Sequence, residues 1–245
     1  MIRFANTEPL EDTAQDVLKK ARLLAAARRL PDAAALLDVA ALQRLQDGCS
    51  HPGPLDVPEA LRVITTDYLG MRVNCFLLLP PTTDAAILFD TGSDVQCVLN
   101  VLNKENRRLE KILITHGHGD HVAVLEELAT ATGAEIFSHS LSRKKLSGGE
   151  VLTVCGLRIR THHLPGHAVD ALAYFLPEPE PPLLVAGDAV FARSLGGIHH
   201  NHDRAVDDVL HMLRSLPPET VILPGHGPLT TTGSELAHNP FLAGR

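Results

Sequence analysis

The sequence predicts an α/β protein in which two sheets pack face to face and helices cover their outer faces, with a small helical appendage at the N-terminus. Two observations predict it. From Leu61 onward, short β-rich runs come in two batches, with helical stretches between and after them, the pattern of a sheet-on-sheet core flanked by helices. Before that point the texture is different: residues 10 to about 47 are rich in Ala, Leu, Asp and Arg, with apolar positions at helical spacing.

Taken in order, Val17, Leu18, Ala21, Leu24 and Ala25 form one helical stripe, with Asp12 and Thr13 offering a cap. Leu30-Pro31-Asp32 breaks it before a second helix, and a shorter one over Ala41 to Gln46 stops at Gly48. The Pro- and Gly-rich segment Asp47 to Pro58 reads as a linker. Residues 1–58 are therefore expected as an appendage and 59–245 as the main domain. Within the domain, strands are expected over Leu61 to Thr66, Arg72 to Leu79 and Ala85 to Phe89, then a helix over Asp94 to Asn103. Strand Leu109 to Ile114, helix His121 to Thr132 and strand Ala134 to Phe137 alternate after it. The second batch is Glu150 to Val154, Leu157 to His162, Ala171 to Phe175 and Leu183 to Val185. A helix over Ala205 to Leu216 and a strand over Thr220 to Leu223 follow.

Composition narrows the function. A formal net charge of -7 opposes a sequence-independent grip on nucleic acid, which needs Lys and Arg facing phosphates. The appendage resembles a worn helix-turn-helix, yet residues 1–60 hold seven Lys plus Arg against nine Asp plus Glu. A groove-reading domain is normally basic, so these helices are read as a cap or a homodimerisation element. The four Cys (Cys49, Cys75, Cys97, Cys155) contain no C-x-x-C pair and read as idle thiols in a reducing compartment. No apolar run approaches the roughly 20 residues of a membrane helix, and the opening lacks an apolar signal segment. A cytoplasmic protein without membrane or nucleic-acid partners is expected.

The 14 His residues are the anomaly, because His is the commonest metal ligand. The densest group is Thr115-His116-Gly117-His118-Gly119-Asp120-His121, directly after an apolar strand. Its spacing sends His116 and His118 to one side and Asp120 and His121 to the other, which suits two adjacent ions better than one. Gly117 and Gly119 are expected to let the backbone turn tightly. His167, Asp188 and His226 follow Gly near the ends of later strands, and Asp90 follows Phe89 upstream. Nitrogen and carboxylate ligands without Cys favour zinc, with iron or manganese open. No G-x-S-x-G elbow competes as a nucleophile.

The run His116-x-His118-x-Asp120-His121, followed by His167, Asp188 and His226, resembles the metallo-β-lactamase superfamily. Leu223-Pro224-Gly225-His226-Gly227-Pro228, with Thr231-Thr232-Gly233 and Asn239-Pro240-Phe241-Leu242, resembles the glyoxalase II branch, in its short forms without a C-terminal helical domain. The likeness covers residues 61–245. It implies a four-layer αββα sandwich and two divalent ions. One ion would rest on His116, His118 and His167, the other on Asp120, His121 and His226. Asp188 would bridge them, and Asp90 would sit behind the ligands and orient a His. It also implies hydrolysis of a thioester of the hydroxyacylglutathione type by a hydroxide held between the ions, with Asp120 both ligating and orienting it.

The remaining histidines lie outside that ligand set. His162, His163 and His139 read as structural, and His51, His211 and His238 as incidental. His199, His200 and His202 occupy a loop where relatives often carry Arg, so His199 and His200 are candidates for substrate contact. Val169-Asp170 stands where many relatives have Pro-Gly. Competing readings are a lactonase or β-lactamase, a mononuclear iron persulfide dioxygenase and, in another class, a metabolite-sensing regulator.

Overall fold

Residues 55–242, apart from 143 and 200, are described by a computed structural model. The helical appendage and most of its linker lie outside the described residues, as does His200. Two six-stranded sheets make the core. The first runs β1 (Leu61–Tyr68), β2 (Met71–Leu78), β3 (Ala85–Phe89), β4 (Arg108–Leu113), β5 (Glu135–Ser138) and β6 (Lys144–Lys145) in spatial order. The second runs β12 (Thr230–Thr231), β11 (Val221–Pro224), β10 (Leu183–Gly187), β9 (Leu172–Leu176), β8 (Leu157–His163) and β7 (Val151–Val154).

Period-two alternation explains why both faces of each sheet are covered. Phe76, Leu78, Ile87, Phe89 and Leu113 point inward to Ile159, Leu172, Tyr174, Leu183, Val185, Val221 and Leu223 of the facing sheet. Their neighbours Cys75, Leu77, Ala86, Leu88 and Ile112 point outward onto α1 (Val95–Lys104) and α3 (Leu125–Thr132). On the far side, Ala173, Phe175, Leu184 and Ile222 meet Val206, Val209, Leu210 and Leu213 of α4 (His202–Arg214). The four layers expected from the resemblance are therefore present. Leu55 and Val57 already pack against the inter-sheet core.

One expected helix is broken. The stretch His121 to Thr132 divides into α2 (Gly119–Val122) and α3. The cause lies in the neighbouring loop. Thr91 donates both its backbone N–H (2.9 Å) and its hydroxyl (3.0 Å) to the carbonyl of His121, an acceptor that a continuous helix would give to the N–H four residues on. The sequence reading also misses β6, β12 and a last helix, α5 (Thr232–His238), whose N-cap Thr231 accepts from the Ser234 N–H.

Strand direction brings the candidate residues together. β3 and β4 are parallel, as are β10 and β11, and β8 and β10 are both antiparallel to β9. Asp90, the His116–His121 turn, His167, Asp188 and His226 each follow the C-terminal end of one of these strands, the usual place for a ligand in such sheets. Bonds across the gap close this edge: Leu172 N to Thr115 O (2.7 Å), Tyr174 Oη to Ile114 O (2.6 Å) and Asn74 Nδ2 to Pro224 O (3.1 Å).

Candidate metal centre

All seven residues expected as ligands converge. His116 Nε2 lies 3.1 Å from His118 Nδ1, which lies 2.8 Å from His167 Nε2. Across the cluster, Asp120 Oδ2 is 3.1 Å from His226 Nε2 and 3.6 Å from His121 Nε2. Between the two groups stands Asp188: Oδ1 is 3.3 Å from His121 Nε2, and Oδ2 is 3.4 Å from His167 Nε2 and 3.5 Å from His226 Nε2. Ligand atoms within each of the sets His116/His118/His167, Asp120/His121/His226 and His116/His121/Asp188 lie within 4.8 Å of one another.

The fit to cations has a physical test. His121 Nε2 and Asp188 Oδ1 are buried and make no hydrogen bond. A buried polar atom left unpaired costs about 1–3 kcal/mol, and two facing lone-pair donors offset that cost by sharing a cation. His116 Nε2, His118 Nδ1 and His167 Nε2 crowd to 2.8–3.1 Å, close enough to share either a ring proton or a cation. The residues present fit metal cations.

Four of the five imidazoles are fixed from behind. His121 Nδ1 contacts Asp90 Oδ2 at 2.8 Å, and His116 Nδ1 contacts Thr115 Oγ1 at 3.0 Å. The Thr115 hydroxyl in turn donates to Asp90 Oδ2 (2.7 Å), while the Thr115 N–H donates to Asp90 Oδ1 (2.7 Å). Asp90 therefore orients two imidazoles, one directly and one through Thr115. His167 Nδ1 donates to the Gly197 carbonyl (3.0 Å) and His226 Nδ1 to that of Arg72 (2.7 Å). With each Nδ1–H engaged, each Nε2 presents a lone pair to the cluster. The sequence reading names Asp90 but misses Thr115, whose only signal is a hydroxyl between the strand and the first His. The Gly197 and Arg72 carbonyls leave no sequence signal.

The electrostatics separate the histidines. Burial holds His116 down to about 4, and it lowers His167 as well. Burial also opposes charge on His121 and His226, but nearby carboxylates outweigh it: Asp90 and Asp188 lift His121 to about 10, and Asp188 raises His226. Asp188 is the converse case: its burial is outweighed by His121 and His226, which hold its carboxyl well below the usual carboxylate range.

The glycines act differently from the expectation. Gly117 and Gly119 are absent from the left-handed residues; they are needed for close approach, since a side-chain carbon at Gly119 would meet Tyr68 Oη at 2.6 Å. Gly225 does the same beside His121: a carbon there would lie 2.5 Å from His121 Cε1.

Among the other candidates, His199 is exposed, with its ring centroid 5.8 Å from that of His167. His202 opens α4 rather than lying in the loop. His163 stacks on His139 with centroids 4.6 Å apart and bonds the Val169 carbonyl at 2.9 Å, so this pair braces the wall behind His167.

A remote network steadies the loop that follows Asp188. Glu235, fully buried, accepts from Arg193 N (2.8 Å), Thr230 Oγ1 (2.6 Å) and Asn239 Nδ2 (2.9 Å), and pairs with the Arg193 guanidinium. Asn239 also holds the Ser194 carbonyl at 3.0 Å. This gives the Asn239-Pro240 signature a physical role.

Residues 69–154 match the family model of the metallo-β-lactamase superfamily. A hydroxyacylglutathione hydrolase from Cereibacter sphaeroides is 34% identical over 136 residues, covering 53% of this chain and 52% of that protein. The chain spans about half the length of the first such curated relatives. The hydrolase GloC from Haemophilus influenzae is 26% identical over 202 residues, covering 71% of this chain and 94% of that one. The crystal structure of TTHA1623 in a di-iron-bound form superposes with a TM-score of 0.63 at 27% identity, covering 74% of this chain and all of that one.

Proposed function

We propose that the chain, whose residues 69–154 match the metallo-β-lactamase family model, is a dinuclear metallohydrolase that cleaves a small-molecule thioester of the hydroxyacylglutathione type. The observation that carries this reading is the convergence of seven donors around the unpaired, buried His121 Nε2 and Asp188 Oδ1. The choice of thioester rests on the relatives, which are named as hydroxyacylglutathione hydrolases. His116, His118 and His167 would hold one ion, Asp120, His121 and His226 the other, and Asp188 both. Zinc suits an all-nitrogen and oxygen set, and the di-iron neighbour makes iron the first competitor. Bound there, the ions supply Lewis acidity, which brings a water's pKa toward neutral and steadies negative charge on a carbonyl oxygen.

The chain's own groups do the rest. Asp120, buried, would accept a hydrogen bond from the attacking water and hold it in line with the carbonyl. Asp90 and Thr115 keep His121 and His116 in the tautomer that faces the cluster. His199, with its ring centroid 5.8 Å from that of His167, would meet the substrate.

The test is release of free thiol from S-lactoylglutathione by metal-loaded protein, with His116→Ala as control. Turnover that vanishes in His116→Ala is the expected result. Absence of turnover by protein holding two ions per chain would overturn the hydroxyacylglutathione reading.

A further inference from the structure

Five large apolar side chains stand exposed among the described residues: Leu69 (89%), Met71 (52%), Leu141 (44%), Val151 (58%) and Val169 (65%). Exposed apolar residues scattered singly are ordinary, but a group of them round one site is not. Four of these five, Leu69, Met71, Leu141 and Val169, belong to segments that adjoin the donor cluster.

Two flanks carry them. On the first, Tyr68 and Met71 are register partners of the β1–β2 hairpin, so their side chains leave the same face of it. Tyr68 reaches over Gly119, where an added side-chain carbon would stand 2.6 Å from Tyr68 Oη, so that face is turned to the His116–His121 turn. Leu69 caps the hairpin between them, and the carbonyl of the next residue along, Arg72, anchors His226. Phe191 meets the His226 ring edge-on with centroids 5.8 Å apart. On the second flank, Leu141 lies over Gly117, 3.6 Å from where a side-chain carbon would stand. Val169 follows His167 by two residues, and its carbonyl is pinned by His163. Exposed His118 lies between Gly117 and Gly119, and so between the flanks.

Charge points the same way. The cation of the loop after Asp188 is Arg193, and it is turned inward onto buried Glu235. It cannot meet an anionic arm. On the second flank the Asp170 carboxylate accepts from Ser140 at 2.5 Å beside Gly117.

We propose that Leu69, Met71, Leu141 and Val169, with Phe191, form an apolar rim that holds a hydrophobic acyl arm of the substrate, so that the chain prefers medium-length apolar acyl thioesters to polar short ones. This rests on the thioester-hydrolase reading and adds a preference within it: S-lactoylglutathione is cleaved, but more slowly than thioesters of apolar acyl groups. Full burial of a methylene contributes about 0.8 kcal/mol, close to fourfold; at a half-exposed rim about twofold is expected.

The experiment uses the full-length, metal-loaded protein and thioesters of one neutral thiol, N-acetylcysteamine, with acetyl, butanoyl, hexanoyl and octanoyl groups. The octanoyl to acetyl ratio of kcat/KM should exceed about tenfold. That ratio should collapse in Leu69→Ser and Leu141→Ser and hold in Val151→Ser, whose side chain is exposed on the edge strand β7. Octanoate and acetate binding by calorimetry should show the same preference and the same loss. Thioester cleavage with a flat ratio, or one that the rim variants leave unchanged, overturns the rim and leaves the thioesterase reading standing. No cleavage of any thioester, with octanoate still bound in preference to acetate and that preference lost in the rim variants, removes the thioesterase reading and keeps the rim. Rim variants that speed turnover or change the oligomeric state would show that another part of this chain, or a second copy, covers the rim, and would overturn the proposal.

Discussion

The candidate centre is built in two halves by different means. The half on the first sheet takes four donors, His116, His118, Asp120 and His121, from one turn, and Asp90 with Thr115 braces it from directly behind. The half on the second sheet takes His167, Asp188 and His226 from three separate loops, each held by a distant group. Gly197 and Arg72 supply carbonyls, and the Glu235–Arg193–Asn239 network steadies the loop between Asp188 and Gly197. In the first half the local chain sets the spacing of the donors; in the second, long-range packing does. Damage to the first half should therefore need a change at the site, whereas the second should fail from afar.

The largest effect is expected where the halves meet. Asp188 is the one candidate within 3.5 Å of nitrogens in both donor sets. Asp188→Ala should cut metal affinity by more than the 10–100-fold that loss of an outer hydrogen bond costs, and turnover should fall with it. Elemental analysis should find fewer than two ions per chain. Two tightly held ions would show that the halves do not share this carboxylate.

Next comes the remote network. Glu235→Gln leaves the Arg193 guanidinium buried without its counter-charge, which costs about 3 kcal/mol or more, a fall of roughly 10 °C in Tm for a chain of this size. Metal content should fall too, although Glu235 touches no candidate ligand. A normal Tm would sink the comparison, because the second half would then not depend on distant packing.

Asp90→Asn tests the first half by a smaller step. Asparagine keeps an acceptor for one partner but loses the charge that faces the His121 Nδ1–H. Metal affinity should fall 10–100-fold with a smaller change in Tm than Glu235→Gln gives. The reverse order of the two Tm losses would mean that Asp90 is chiefly structural.

The same contrast governs what is legible in the sequence. The first half is legible because its chemistry is contiguous: four donors within six residues after an apolar strand point to a metal centre and to little else. His167, Asp188 and His226 are each a Gly followed by one polar residue, and only their order after the first cluster singles them out. The strands are legible because both sheet faces are buried, which leaves unbroken apolar runs such as Ala85 to Phe89. The break between α2 and α3 is not, because it depends on Thr91 capturing a carbonyl thirty residues along the chain. Nor is the need for glycine at 119, whose cause is the Tyr68 hydroxyl of a distant hairpin. Two-residue strands such as β6 and β12 carry no periodicity to detect.

The seven donors divide a second way, into the two expected ion pockets, and pH should tell these apart. In the first, burial lowers both His116, to about 4, and His167. In protein stripped of metal these two imidazoles are neutral near pH 7 and ready to bind. In the second, burial is overcome by Asp90 and Asp188 at His121, raised to about 10, and by Asp188 at His226, also raised. Here an ion must displace protons held by the folded chain. The sign follows from that competition: as pH falls below the raised values, protons win, and each unit of pH costs up to tenfold in affinity per imidazole displaced. Titration with zinc between pH 6 and 9 should resolve one ion whose affinity changes little and one whose affinity climbs steeply with pH. Calorimetry in buffers of different ionisation enthalpy should show proton release with the second alone. Asp90→Asn removes a charge that raises His121, so it should flatten the steep curve, while the shallow one keeps its slope at a lower affinity because Asp90 also braces His116 through Thr115. Two equally steep curves would mean that the carboxylates do not distinguish the pockets.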